Sequence, residues 1–140
     1  MSEAELRIAW RPDEDGIGQI IAIVKSGAFI AQGSAWFNPD QVKKTFVAGL
    51  RPFPLTSANP PTLADSFGSL DQGQLRITIQ PYNSRGTLVV SGDLADDAAP
   101  QNRATIRFLT EYAAVGEFAE QLERVLDGES AEAVLNGITN

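Results

Sequence analysis

The chain contains no histidine and no cysteine. Without histidine there is no Ser-His-Asp triad, and no side chain whose unperturbed titration lies near neutral pH. Without cysteine there is no thiolate nucleophile and no disulfide, and without either residue the common zinc sites cannot be assembled. Catalysis is left with carboxylates, lysine or a carboxylate-held metal. Positive charge is also scarce, with 11 Lys and Arg against 18 Asp and Glu and a net charge of −7. Phosphate recognition needs clustered basic side chains, and Lys43-Lys44 is the only adjacent basic pair. Nucleic acid is therefore not an expected partner. Long apolar runs are missing too. The longest, Ile20 to Val24, falls far short of the roughly 20 residues of a membrane span. The opening Met1-Ser2-Glu3-Ala4-Glu5 is acidic, the opposite of a secretory signal. The expectation is a cytoplasmic protein without membrane contact, metal or cofactor.

What is present reads as alternating strands and two amphipathic helices. Leu6, Ile8 and Trp10 alternate with Glu5, Arg7 and Ala9 before Pro12 ends the pattern. Gln19 to Lys25 is apolar on both faces, as suits an interior strand. Ser26-Gly27 makes a tight connection to a strand over Ala28 to Phe37. Asn38-Pro39-Asp40-Gln41 is a helix start with a capping residue, a proline that has no amide to satisfy, and an acid at the positive helix end. Val42, Phe46, Val47 and Leu50 then share one helical face. Four prolines make residues 51–62 a loop, residues 63–70 carry no clear pattern, and three more strands follow around Leu75–Ile79, Leu88–Leu94 and Ala104–Phe108. Thr110 is placed to cap a second helix with Val115, Phe118, Leu122, Val125 and Leu126 on its buried stripe. Gly128 stops that helix, and residues 130–136 form a tail of undefined type.

The expectation is a single α+β domain over residues 1–140. Its mainly antiparallel sheet has about six strands, with two helices on one face and the order βββα-βββα. The halves, residues 5–51 and 74–128, resemble one unit used twice, joined by the Pro-rich loop. Leu6-Arg7-Ile8 recurs as Leu75-Arg76-Ile77, and Phe46 and Leu50 recur as Phe118 and Leu122. Chance similarity between two simple units is the competing explanation.

Candidate sites are few. Asp13, Glu14, Asp15, Asp93, Asp96 and Asp97 are carboxylates in expected turns. Asp13-x-Asp15-Gly16 lacks the ligand spacing of a calcium loop. No catalytic or metal residue is assigned. Trp36, between Ala35 and Phe37 on a strand, faces away from Phe37. It is either a core residue or, on an open sheet face, a binding hot spot. Residues 111–132 hold 7 acids and 1 base. Glu117, Glu120, Glu123 and Asp127 lie off the apolar stripe, where they form either an ordinary solvated face or a docking surface for a basic partner.

Three stretches carry a family resemblance: Gly27-Ala28-Phe29 through Gly33-Ser34-Ala35-Trp36-Phe37, Arg85-Gly86-Thr87-Leu88-Val89-Val90, and Phe108-Leu109-Thr110-Glu111-Tyr112 with Phe118 and Leu122. Together they resemble the WapI-type bacterial immunity proteins over roughly residues 6–135. The resemblance implies a small cytoplasmic protein that neutralises a cognate toxin domain by direct binding, without catalysis. It transfers no site residues, because such surfaces differ with each toxin. The alternative expectation is an interaction or structural subunit of a larger assembly, including a homodimer formed through exposed edge strands. An enzyme working with carboxylates alone is the third.

Overall fold

A computed structural model describes residues 4–65, 73–96 and 98–138. Its strands are β1 (Ala4–Pro12), β2 (Gly18–Ser26), β3 (Phe29–Phe37), β4 (Thr62–Ala64), β5 (Leu75–Pro81), β6 (Thr87–Ala95), β7 (Arg103–Glu111) and β8 (Glu132–Asn136). The first helix opens as α1 (Pro39–Val42) and continues through a π-helical turn, Lys43–Val47, while α2 spans Tyr112–Leu126.

The α+β class and antiparallel pairing are as expected, but the strands form two sheets rather than one of about six strands. Their orders are β3-β2-β1-β8 and β4-β5-β6-β7. Each sheet is an antiparallel three-stranded meander extended by a fourth strand beside the meander's first member. The fourth strands are exchanged. β4, which follows the first helix, pairs with β5, and β8, which follows α2, pairs with β1. Both additions fell where the pattern was unreadable, since β4 has 3 residues and β8 has 5. The remainder of the unassigned stretch, residues 66–70, lies outside the described residues.

The buried faces of the two sheets and both helices share one core. Leu6, Ile8, Ile20 and Val24 of the first sheet join Leu75, Ile77, Leu88 and Val90 of the second, with Phe46 and Phe118 from the helices. With two sheets there is no single face for both helices to share. Instead α2 packs on β8, β1 and β7, and the π-turn packs on β4 and α2. The sheets come into close contact at two glycines. A Cβ on Gly92 would lie 2.6 Å from Val24 Cγ2, and one on Gly33 would lie 3.2 Å from Leu94 Cβ.

Local chemistry explains most element ends. Asn38 Oδ1 accepts from the amides of Asp40 and Gln41, as a helix cap should. The Thr45 hydroxyl donates to the Gln41 carbonyl at 2.7 Å, inside the helix at the π-turn. This side-chain bond competes with the regular backbone ladder. Gly27 has φ +61° at the β2–β3 hairpin, and Gly128 has φ +79° after α2. The Glu129 amide donates back to the Arg124 carbonyl, closing the helix end.

The expected Thr110 cap is corrected. Glu111 occupies the cap position without a side-chain bond. Thr110 ends the inward face of β7, is fully buried, and donates its hydroxyl to the Asn136 carbonyl at 2.8 Å. A side chain aimed into the core is not available to the helix amides. Asp93 likewise lies within β6 rather than in a turn, and Asp97 falls outside the described residues.

Gly92 supplies the first test. Val24 is β-branched and cannot swing its methyl aside cheaply, so Gly92→Ala should destabilise by about 1–3 kcal/mol. Adding Val24→Ala should recover part of that loss. Urea unfolding of the two single variants and the double variant measures the coupling, and strictly additive effects would contradict the close contact.

Candidate functional site

The outer face of the first sheet is the most open surface with chemical character. The strand register arranges its side chains in rows. One row reads Val134, Arg7, Ile23, Gln32 across β8, β1, β2 and β3, and the next reads Glu132, Ala9, Ile21, Ser34. A third holds Arg11, Gln19 and Trp36. Arg7 hydrogen-bonds Glu5 and Glu132, and these bonds raise its pKa above the ordinary value, the Glu5 bond contributing most. A fourth row holds Asn136, Glu5, Lys25 and Ile30, so the face has charges on β1, β2 and β8, and around Trp36 the β2 and β3 side chains Gln19, Ile21 and Ser34 are neutral.

Trp36 stands at the corner of that neutral group. It is 44% exposed, while Phe37 beside it is 9% exposed and belongs to the core. The opposed orientation expected for the two rings is what strand geometry produces. Trp10 is partly buried against the core instead, with its ring over Gly18, where an added Cβ would come within 2.7 Å.

Next to Trp36 the end of β3 and the first helix turn away from β4, leaving a cleft of about 430 Å³. Its walls are Ile17, Trp36 and Phe37 on one side, Asn38, Gln41, Val42 and Thr45 on the helix, and Thr62 to Asp65 opposite. Four of its polar side chains are engaged in local structure, while the Gln41 amide and the Trp36 indole N–H make no hydrogen bond among the described residues. Asn38 caps the helix, the Thr45 and Thr62 hydroxyls donate to carbonyls, and the Asp65 carboxylate accepts from the amides of Gln74 and Leu75. Among the described residues, no three Asp or Glu side chains converge as a metal site would need.

No family model, curated protein or solved structure matches this chain.

The acidic residues of α2 lie elsewhere and divide into two pairs. Glu123 bonds Arg51, and Asp127 bonds Lys43, so these two acids tie α2 to the segment after β3. Glu117 and Glu120 instead border a shallow hollow with Arg51, Phe53 and Tyr112. Phe53 packs edge-on to Tyr112 at 4.8 Å, and the Tyr112 hydroxyl accepts from the Leu55 amide, which docks the Pro-rich loop on α2. The structure thus does not bring Trp36 together with the four acids into one site. Spacing along α2 could place the acids on one face, but their cationic partners come from a different element and were not legible in the helix itself. The cleft beside Trp36 was missed for the same reason, because β4 carried no strand pattern. The helix cap at Asn38 marked one of its walls.

The Lys43–Asp127 bond raises the Lys43 pKa above its ordinary value of 10.5, chiefly through the hydrogen bond and against a desolvation cost. A raised lysine contributes stability that is complete below its unfolded value and is lost as pH climbs through the folded one. Lys43→Met should therefore cost less than about 1 kcal/mol near neutral pH, an exposed-pair magnitude. That difference should stay level from about pH 6 to 9 and shrink above about 10.5. Paired urea melts across this range check it, and a difference that grows with pH would contradict the assignment.

Proposed function

We propose that this chain is a non-catalytic binding domain whose ligand is another protein, docked on the β2–β3 side of the first sheet with a side chain in the cleft beside Trp36. One observation carries the reading. A large aromatic ring stands half-open at the mouth of a cleft, beside the neutral side chains Gln19, Ile21 and Ser34 of the sheet face. Anchors of this kind dominate protein interfaces because they bury large area at little conformational cost. The absent His and Cys support the same reading, since the common nucleophilic and acid–base machinery has no residues to use.

Within that class, the resemblance to WapI-type immunity proteins gives the finer proposal of a cytoplasmic protein that neutralises a cognate toxin domain. The net charge of −7 favours a basic toxin. Glu117 and Glu120, rather than Glu123 and Asp127, are the helix acids best placed to steer it, because the latter pair is bonded to Arg51 and Lys43. A second reading, a subunit of a larger assembly, is favoured by the exposed edge of β3, which has Phe29 and Ile30 open to solvent.

The test uses the partner that co-purifies with the tagged chain from its own host. Trp36→Ala should weaken binding by at least about 2 kcal/mol, mostly through faster dissociation. Glu117→Lys with Glu120→Lys should slow association, more at low salt than at high salt. Surface plasmon resonance separates the two effects. Equal affinity for Trp36→Ala would remove the Trp36 cleft as the docking site, and an unchanged association rate would remove the helix acids.

A further inference from the structure

The two sheets have four edge strands, β3 and β8 in one and β4 and β7 in the other. Three of them are blunted against pairing with another chain. On β8, the Val134 amide donates to Gln121 of α2. β7 carries Arg103, Arg107 and Glu111, and its Leu109 carbonyl accepts from the Ile138 amide. β4 is only 3 residues long. Among the described residues, β3 has none of these devices. It runs 9 residues, Phe-Ile-Ala-Gln-Gly-Ser-Ala-Trp-Phe, with no charge and no proline, and leaves Phe29 72% and Ile30 66% exposed. Edges with these properties pair with another strand unless something prevents it.

The β3 sequence also names its partner. Read from either end about Gly33, it matches itself in kind. Phe29 meets Phe37, Ile30 meets Trp36, Ala31 meets Ala35, and Gln32 meets Ser34. The backbone agrees with this register. Ser26 and Phe29 close the two-residue β2–β3 hairpin, so Phe29, Ala31, Gly33, Ala35 and Phe37 turn their hydrogen-bonding groups toward β2. Ile30, Gln32, Ser34 and Trp36 turn theirs outward. Only pairings that set outward residues against outward residues can form the bonds. The register centred on Gly33 does this at every position, for about eight hydrogen bonds. Charge agrees as well. The antiparallel arrangement brings the end with Lys25 and Glu5 of one copy to the end that carries Asp13, Glu14, Asp15 and Arg11 of the other, whereas a parallel one would set the three turn acids of both copies together.

We propose that two copies of this chain pair through β3 about a two-fold axis at Gly33, joining their first sheets into one continuous sheet of eight strands. The inference rests on the edge and its self-complementary sequence, not on the binding of a foreign partner at the Trp36 cleft. Pairing sets Ile30 of one copy against Trp36 of the other on the outer face, so each dimer presents two clefts, one at each end of the paired strands.

The experiment is sedimentation equilibrium of the full chain over a wide concentration range, combined with amide hydrogen exchange. The expected result is a monomer–dimer equilibrium in which the amides of Ile30, Gln32, Ser34 and Trp36 gain protection as concentration rises. Two double variants test the register. Gln32→Lys with Ser34→Lys sets like charges directly opposite twice and should weaken the dimer by about tenfold. Gln32→Lys with Ser34→Glu sets opposite charges in the same places and should dimerise as well as the parent. Because that second variant must fold to dimerise, it separates broken pairing from broken folding. A chain that stays monomeric at all concentrations overturns the proposal. So does a dimer indifferent to both variants, or protection of these amides that does not depend on chain concentration.

Discussion

The two sheets approach each other too closely at one line for side chains on both to fit. Gly92 of β6 lies under Val24 of β2, and Gly33 of β3 lies under Leu94 of β6. Replacing hydrogen by a methyl group at Gly92 would push against the stiff Val24 side chain, and at Gly33 against Leu94, so the facing side chains would have to shift. The contact matters because neither sheet is complete within its own half of the chain. β8 completes the first sheet and β4 the second, so each half is held to the other by backbone hydrogen bonds as well as by apolar burial. Two meanders that could otherwise hinge about the Pro-rich loop are locked in one arrangement.

That arrangement decides where the surface chemistry falls. Packing the helices between and beside the sheets carries Glu123 and Asp127 to Arg51 and Lys43, which neutralises half of what looked like an acidic patch. It leaves the outer face of the first sheet uncovered. On that face, ion pairs around Arg7 occupy one side, and Trp36, Ile21, Ile23 and Ile30 stand on the other with Lys25 at the hairpin end. The cleft beside Trp36 exists because β4 is short and stands off from the end of β3. Asn38, Thr45, Thr62 and Asp65 in its walls hold the helix cap and the strand ends in place.

The edges tell a related story about what the molecule guards against. α2 covers β8, and charged side chains cover β7, but β3 meets solvent with an uncharged strand of alternating apolar residues. An unguarded edge of that length is a standing opportunity for pairing. It lies beside the same tryptophan that marks the cleft, so recognition of a foreign protein and recognition of a second copy would draw on neighbouring parts of one face.

Local pattern was enough for the strands of both meanders, the hairpin at Gly27, the cap at Asn38, the stop at Gly128 and the buried stripes of both helices, because each depends on residues only a few positions apart. The missing His and Cys narrowed the chemistry in the same direct way. Thr110 was misread as a cap because its hydroxyl is claimed by Asn136, a residue far along the chain. β4 and β8 could not be read from pattern, since segments of 3 and 5 residues become strands only when a neighbouring edge supplies their hydrogen bonds. The division into two sheets, the pairing of the helix acids and the cleft beside Trp36 were likewise decided only by tertiary structure. Each depends on which distant segments meet, and side-chain period along a strand or helix specifies a face without specifying what will cover it.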